Sequence, residues 1–219
     1  MRQVEVALAA HEVIGGGGPG GAAVAAGREP AWPGGDGREP VWPGGDGREN
    51  AARGRRPAGV LVALFEEEGQ ARVILTRRSA HLHAHAGEVS FPGGGVEIGE
   101  SAQEAALREA HEEVGIDPDS VRVIAELPGL ATLSAASGIT PFVGLLDGRP
   151  HLVPNPNEVA LAFDVALVDL MAPGVFSEEI WVMADDVERA IQFYELPEDM
   201  IWGATAKMLT SLLVIIMAS

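Results

Sequence analysis

Not one cysteine occurs in the chain. That excludes disulfides, thiolate metal sites and cysteine nucleophiles at once, and it suits a reducing compartment. Basic residues are few: 15 Lys and Arg stand against 32 Asp and Glu, for a net charge of −17 at pH 7. Broad binding to DNA or RNA phosphates needs basic stripes, so nucleic acid is not an expected partner. A phosphate-bearing small molecule is still admissible where cations bridge the repulsion. Long apolar runs are missing too. The longest late one, "SLLVIIMA" at 211–218, falls far short of the roughly 20 residues that a membrane span needs. It reads as the buried end of a helix, with a membrane-touching helix as the alternative, and no membrane partner is expected. The beginning of the chain lacks the charged-then-apolar pattern of a signal sequence.

What is present divides in two. A chain of 219 residues with 47% hydrophobic side chains can hold one domain of ordinary size plus a tail. Residues 1–56 carry the low-complexity run "GGGGPGGAAVAAG" and then "GREPAWPGGD" (27–36), repeated as "GREPVWPGGD" (37–46). Such a Gly/Pro-rich segment cannot bury enough surface to offset chain entropy, so a flexible tail is expected. A short recognition motif built on Trp32 and Trp42 is the sharper alternative. The basic cluster at 53–56 reads as a solvated junction.

The folded domain is expected over 57–219. "AGVLVALF" (58–65) and "ARVILTR" (71–77), separated by a turn at "EEEG", read as a hairpin. "VRVIAEL" (121–127), "ITPFVGLL" (139–146), the start of "EVALAFDVAL" (158–167) and "EEIWVM" (178–183) are further strands. A last helix is expected over 198–217. Strands and helices interleave irregularly, which points to an α/β fold with a mixed sheet between helices.

One short helix carries a concentration of charge. In "GESAQEAALREAHEEVG" (99–115), Ser101 and Glu104 form a capping box and Gly115 suits the left-handed position after a helix end. The helix is expected over about 102–114. At about 100° per residue, Leu107, Ala110 and Val114 share one face, and Glu109, Glu112 and Glu113 gather on another, roughly opposite. Glu109 and Glu113 are a like-charge pair one turn apart, and the cluster lies where the helix dipole disfavours anions. Arg108 offsets part of this. A solvated charged face is one outcome; a hard divalent cation, Mg²⁺ or Mn²⁺, held by carboxylate oxygens is the other.

The spacing goes further. Gly94, Glu100, Arg108, Glu109, Glu112, Glu113, Gly115 and Ile116 fit G-x5-E-x7-R-E-U-x-E-E-x-G-U, with Ala110 at the first U, an aliphatic position. This resembles the box of the Nudix hydrolase superfamily, with every fixed position filled. The resemblance implies an α/β/α sandwich in which a loop–helix–loop presents metal ligands to a diphosphate. It makes Glu109, Glu112 and Glu113, with the carbonyl of Gly94, the expected Mg²⁺ or Mn²⁺ ligands. Glu100 and Arg108 become the support that holds the loop against the helix.

The stretch before the box, "ILTRRSAHLHAHAGEVSFPGGG" (74–95), resembles the extended motif of the coenzyme A diphosphatase branch, L-L-T-x-R-[SA]-x3-R-x3-G-x3-F-P-G-G. Leu75, Thr76, Arg78, Ser79, Gly87, Phe91, Pro92, Gly93 and Gly94 match. Ile74 replaces Leu, and His83 stands where the motif has Arg, which removes a permanent charge and a bidentate phosphate donor. "SGITPFVG", "PNPNEV" and "IWGATAKML" resemble later phrases of that branch. The implied substrate is coenzyme A or a thioester of it, with 3′,5′-ADP and 4′-phosphopantetheine as products. Arg77, Arg78, His85 and Phe91 are the candidate substrate contacts. The alternation of His81, His83 and His85 reads as a loop with substrate-facing or loop-anchoring histidines rather than a transition-metal site. Trp181 and Trp202 read as packing aromatics, with adenine stacking as the alternative.

Water would attack one phosphorus of the diphosphate, and a carboxylate must take its proton. Glu112, Glu113 and, outside the box, Glu158 all qualify. Two rival readings stay open: a Nudix hydrolase for ADP-ribose or nucleoside triphosphates, and a non-catalytic Nudix-fold binding module. A homodimer is also open. The C-terminal "MAS" is not a peroxisomal address of the S-K-L type, so the cytoplasm is expected.

Overall fold

The computed structural model describes residues 1, 4–5, 57–82, 85–131, 138–182 and 186–218. The expectations for the low-complexity segment with its repeat, for the basic cluster at 53–56 and for His83 lie outside these residues. Strands β1 (Ala58–Glu67) and β2 (Gln70–Arg78) form the expected hairpin, turned at Glu68 and Gly69 with φ of 52° and 76°. Two short strands follow, β3 (Val89–Ser90) and β4 (Gly93–Gly95), and then helix α1 (Ala102–Val114). After a 3-10 turn at Pro118–Ser120 come β5 (Arg122–Glu126), β6 (Leu130–Ala131), β7 (Gly138–Leu145) and β8 (Val159–Ala166). The chain ends with α2 (Leu167–Leu170), β9 (Phe176–Val182), β10 (Glu188–Glu195), β11 (Met200–Trp202) and α3 (Gly203–Met217).

Strands β1 to β8 make one sheet, ordered β3-β2-β1-β7-β5 along its main path. β4 adds to β1, β6 to β7 and β8 to β2. The β1/β7 pair is parallel and the other pairs are antiparallel, so the sheet is mixed. Its two faces are both apolar because strand residues alternate sides. Val62 and Leu64 join Val73, Leu75, Leu209 and Leu212 in one cluster. Leu61, Ala63 and Phe65 join Ile74, Ala106, Ala110 and Val114 in another. The sheet therefore separates α1 from α3, an α/β/α sandwich of the Nudix type, as expected. A fully buried Leu, Ile or Phe contributes about 1.5–3 kcal/mol, so a one-residue slip that exchanged the faces would be very costly.

Strands β9 to β11 form a second sheet that shares the side of α3; Tyr194 on β10 and Thr210 on α3 share a hydrogen bond of 2.9 Å. Here the structure corrects the expected last helix. Pro197 helps set a turn closed by Leu196 N–H on the Asp199 carbonyl, 2.8 Å. Residues 200–202 then pair with β10, and the helix starts only at Gly203. No helix among the described residues is long and apolar enough to cross a membrane. Near the start of the chain, Val4 is buried in the first cluster and Glu5 pairs with Arg122.

Candidate active site

The site is built where α1 crosses the first residues of β1 and β4. Ser101 caps α1 with both bonds of the capping box, and Gly115 ends it at φ 75°, ψ 18°. The helix lies so close to β1 that a Cβ on Gly59 would fall 1.8 Å from the Ala102 carbonyl oxygen. Gly94 lies against Glu109: a Cβ there would sit 2.5 Å from the Glu109 carboxyl carbon. At Gly59 the neighbour is helix backbone, so only glycine lets α1 approach β1 this closely; at Gly94 it is the end of the Glu109 side chain, so a side chain there would displace that carboxylate.

Glu109, Glu113 and Glu158 each bring a carboxylate oxygen to a common place, all within 4.8 Å of one another. Glu113 is only 3% exposed. Its Oε2 accepts from the Gly93 N–H at 3.1 Å, and Arg78 Nη1 lies 3.7 Å from its Oε1. Burial pushes its pKa up to about 7, against the pull of the Gly93 amide and Arg78, and the carboxylates of Glu109 and Glu158 push it further. Burial also raises Glu109, opposed mainly by the hydrogen bond from Arg108. Three crowded, partly desolvated carboxylates are an unfavourable arrangement on their own. They fit a hard divalent cation, since the donor set is oxygen alone and Gly94 leaves the room that a side chain would fill.

Arg108 bonds to Glu100, to β4 and to two of the helix glutamates. Arg108 Nε donates to Glu100 Oε1 at 2.8 Å and its Nη2 to Glu100 Oε2 at 3.1 Å. The same guanidinium reaches the Gly95 carbonyl at 3.1 Å, Glu109 at 3.0 Å and Glu112 at 3.2 Å. One side chain thus links the loop, β4 and the helix.

The geometry also corrects the expected division of faces on α1. Glu109 and Glu113 lie on the side of the buried Ala105 and Ala106, whereas Leu107 is only partly buried. The helix meets the sheet through its alanines, whose small side chains leave the longer glutamates room to run alongside. Glu112 does not join the group of three; its side chain is 53% exposed and its described partner is Arg108.

Other expected contacts divide the same way. Arg78 points to the carboxylates, and its Nε is buried without a hydrogen-bond partner among the described residues. Arg77, its neighbour, goes to the opposite side of the sheet and pairs twice with Asp199, at 2.7 and 2.6 Å, tying β2 to the turn before β11. Phe91 is 2% exposed and belongs to the core cluster on the α3 side. This corrects its reading as a substrate contact, because the ring is enclosed by packing. His85 has φ 58° and shares a 3.0 Å bond with Glu88 within its own loop. Trp181 is partly buried and packs on Phe193 with ring centroids 5.8 Å apart.

Sequence reasoning missed how Glu158 is delivered. The segment before β8 runs along the C-terminal end of α1, with Val153 N–H on the Val114 carbonyl at 2.9 Å and Asn155 N–H on the Glu113 carbonyl at 2.8 Å. These bonds satisfy helix carbonyls that have no partner inside the helix. The turn chemistry of "PNPNEV" was the available signal.

The family model described as NUDIX domain matches residues 55–195. The uncharacterized Nudix hydrolase NudL of Citrobacter koseri is 36% identical over 160 residues, covering 72% of this chain and 81% of NudL. Nudix hydrolase 3 of Caenorhabditis elegans is 38% identical over 115 residues; the match covers 51% of this chain and about half, 48%, of that protein. Among solved structures, the Nudix hydrolase RenU from M. smegmatis aligns over 53% of this chain and 74% of its own, at 25% identity and a TM-score of 0.47.

Proposed function

The chain belongs to the NUDIX domain family of hydrolases, and we propose, from the resemblance of residues 74–95 to the coenzyme A branch, that it splits the diphosphate linkage of coenzyme A or its thioesters. The products are 3′,5′-ADP and 4′-phosphopantetheine or its acyl derivative. The observation that carries this reading is the convergence of Glu109, Glu113 and Glu158 beside Arg78. Arg78 comes from the segment that resembles the coenzyme A branch, so that segment lies against the carboxylates rather than elsewhere on the domain.

Glu109, Glu113 and Glu158 would hold a Mg²⁺ or Mn²⁺ ion, with the Gly94 carbonyl as a further ligand and Glu112 at the edge. Such a cation lowers the pKa of water and neutralises phosphate oxygens. The chain's own groups do the rest. Arg78 offers its guanidinium to a non-bridging phosphate oxygen. Arg108 and Glu100 keep the loop and helix in register. Glu158 takes the proton of the attacking water on the carboxylate oxygen it would not give to the cation: Glu113 already accepts from Gly93 and Glu109 is bound by Arg108, while the described residues place no donor on the Glu158 side chain. Water oxygen bonds to one phosphorus, the bridging P–O bond breaks, and the leaving phosphate departs with that electron pair. The expected setting is the cytoplasm.

A second reading, with ADP-ribose or a nucleoside triphosphate as substrate, is favoured by one departure: His83 stands where the coenzyme A motif has Arg. A panel of coenzyme A, acetyl-coenzyme A, ADP-ribose and nucleoside triphosphates with Mg²⁺ or Mn²⁺, products identified by mass, separates the two. The expected result is the highest kcat/KM on the coenzyme A compounds. Faster turnover of ADP-ribose would overturn the substrate assignment.

A further inference from the structure

We propose that Ser79 and His81 are positioning residues that set Glu158 in the carboxylate group. The inference rests on the reading of that group as a cation site. Glu109 and Glu113 are fixed by α1, but Glu158 is carried on a segment of irregular backbone. Its place depends on whatever holds residues 155–158. One side of the segment is bound to the end of α1, as described above. The other side is bound to a single short stretch. Ser79 N–H donates to the Glu158 carbonyl at 2.9 Å. Ser79 Oγ–H donates to the Pro156 carbonyl at 3.1 Å. His81 Nε2 lies 3.1 Å from the Asn157 carbonyl. Three consecutive carbonyls are thus held from two residues.

Ser79 is 3% exposed, and its carbonyl accepts from Leu82 N–H at 3.2 Å. Its N–H, Oγ and carbonyl all have partners, so it anchors the stretch rather than merely touching it. A carbonyl can only accept, so His81 must carry its proton on Nε2, and the bond persists whether or not the other ring nitrogen is protonated. The pairing register of β2 with β8 shifts between Arg77 and Arg78. Such an irregularity re-aims the backbone at a site, and here it occurs one residue before Ser79. A carboxylate displaced by about 1 Å from a productive geometry loses much of its effect, and groups that orient ligands through one bond are commonly worth about 10–100-fold in metal affinity.

The test is Mn²⁺ binding to the full chain by titration calorimetry, with no substrate present, alongside kcat and KM for coenzyme A. Ser79→Ala with His81→Ala is expected to weaken Mn²⁺ binding about 10-fold and to lower kcat more than it raises KM. His81→Gln, which keeps a donor at similar reach, is expected to recover most of what His81→Ala loses. In a Glu158→Gln background the pair should cost less than about 2-fold, because there is no third carboxylate left to place. An equal loss with and without Glu158, or unchanged Mn²⁺ affinity, overturns the proposal. Should the double variant fail to fold, His81→Ala alone, at an exposed position, carries the same comparison. Mn²⁺ binding that responds to these changes in a chain that does not turn over coenzyme A would support the positioning role and reject the substrate.

Discussion

Glu113→Gln is expected to destroy function and stabilise the fold. The side chain is 3% exposed, and burial raises its pKa from 4.5 to about 7. The folded state therefore holds a proton that an unfolded glutamate releases, and folding stability falls as pH climbs from about 4.5 to 7. Above that window the whole penalty applies. A rise of this size corresponds to roughly 3 kcal/mol. The amide keeps an oxygen for the Gly93 N–H and removes the buried charge, but it also deprives Arg78 of a partner, so about 2 kcal/mol of gain is expected. For a folded domain of this size that raises Tm by roughly 4–8 °C. The assay is thermal unfolding followed by circular dichroism in EDTA. At pH 8 the variant should melt above the unaltered chain; at pH 5, where Glu113 is protonated in the fold, most of the difference should vanish. Adding Mn²⁺ should reverse the order, since only the unaltered chain gains the binding energy. A variant no more stable than the parent at pH 8, or a gain independent of pH, would refute the reasoning.

Gly94→Ala puts a methyl 2.5 Å from the Glu109 carboxyl carbon, and calorimetry should show Mn²⁺ affinity reduced at least about 10-fold. Glu112→Gln, at a side chain 53% exposed and outside the group of three, should change Mn²⁺ affinity less than about 3-fold, well short of the loss in Glu113→Gln. Phe91→Ala should lower stability by about 3–5 kcal/mol, as expected of a core phenylalanine, measured by urea unfolding, while the fraction still folded keeps its KM. Arg77→Ala breaks the bidentate pair with Asp199; Tm should fall while KM for coenzyme A moves less than about 2-fold.

The parts of this account that were legible in the sequence are the local ones. Ser101, Glu104 and Gly115 fix α1 through its own caps, and the observed helix runs over the expected 102–114. The pairing of Arg108 with Glu100, which the resemblance to the box implied, joins residues only eight apart. Arg77 and Arg78 were both expected to contact substrate, although alternation along β2 puts them on opposite faces and only Arg78 meets the carboxylates. Nonlocal facts were hidden. Phe91 sits beside Gly93 and Gly94 in sequence, but β3 directs its ring to the α3 side. β11 takes its three residues from what reads as continuous helix, because pairing with β10 outweighs local propensity there. The meeting of Glu158 with Glu109 and Glu113 depends on a segment that crosses the end of α1 some 40 residues later, and no periodicity records that.

The most direct measurement of the central claim is an anomalous difference map from crystals grown with Mn²⁺ and a non-hydrolysable coenzyme A analogue, recorded at the manganese edge. The account predicts a peak bounded by carboxylate oxygens of Glu109, Glu113 and Glu158, with the analogue's diphosphate against it and Arg78. Manganese bound elsewhere while those three carboxylates hold none, with the analogue in place, would contradict it.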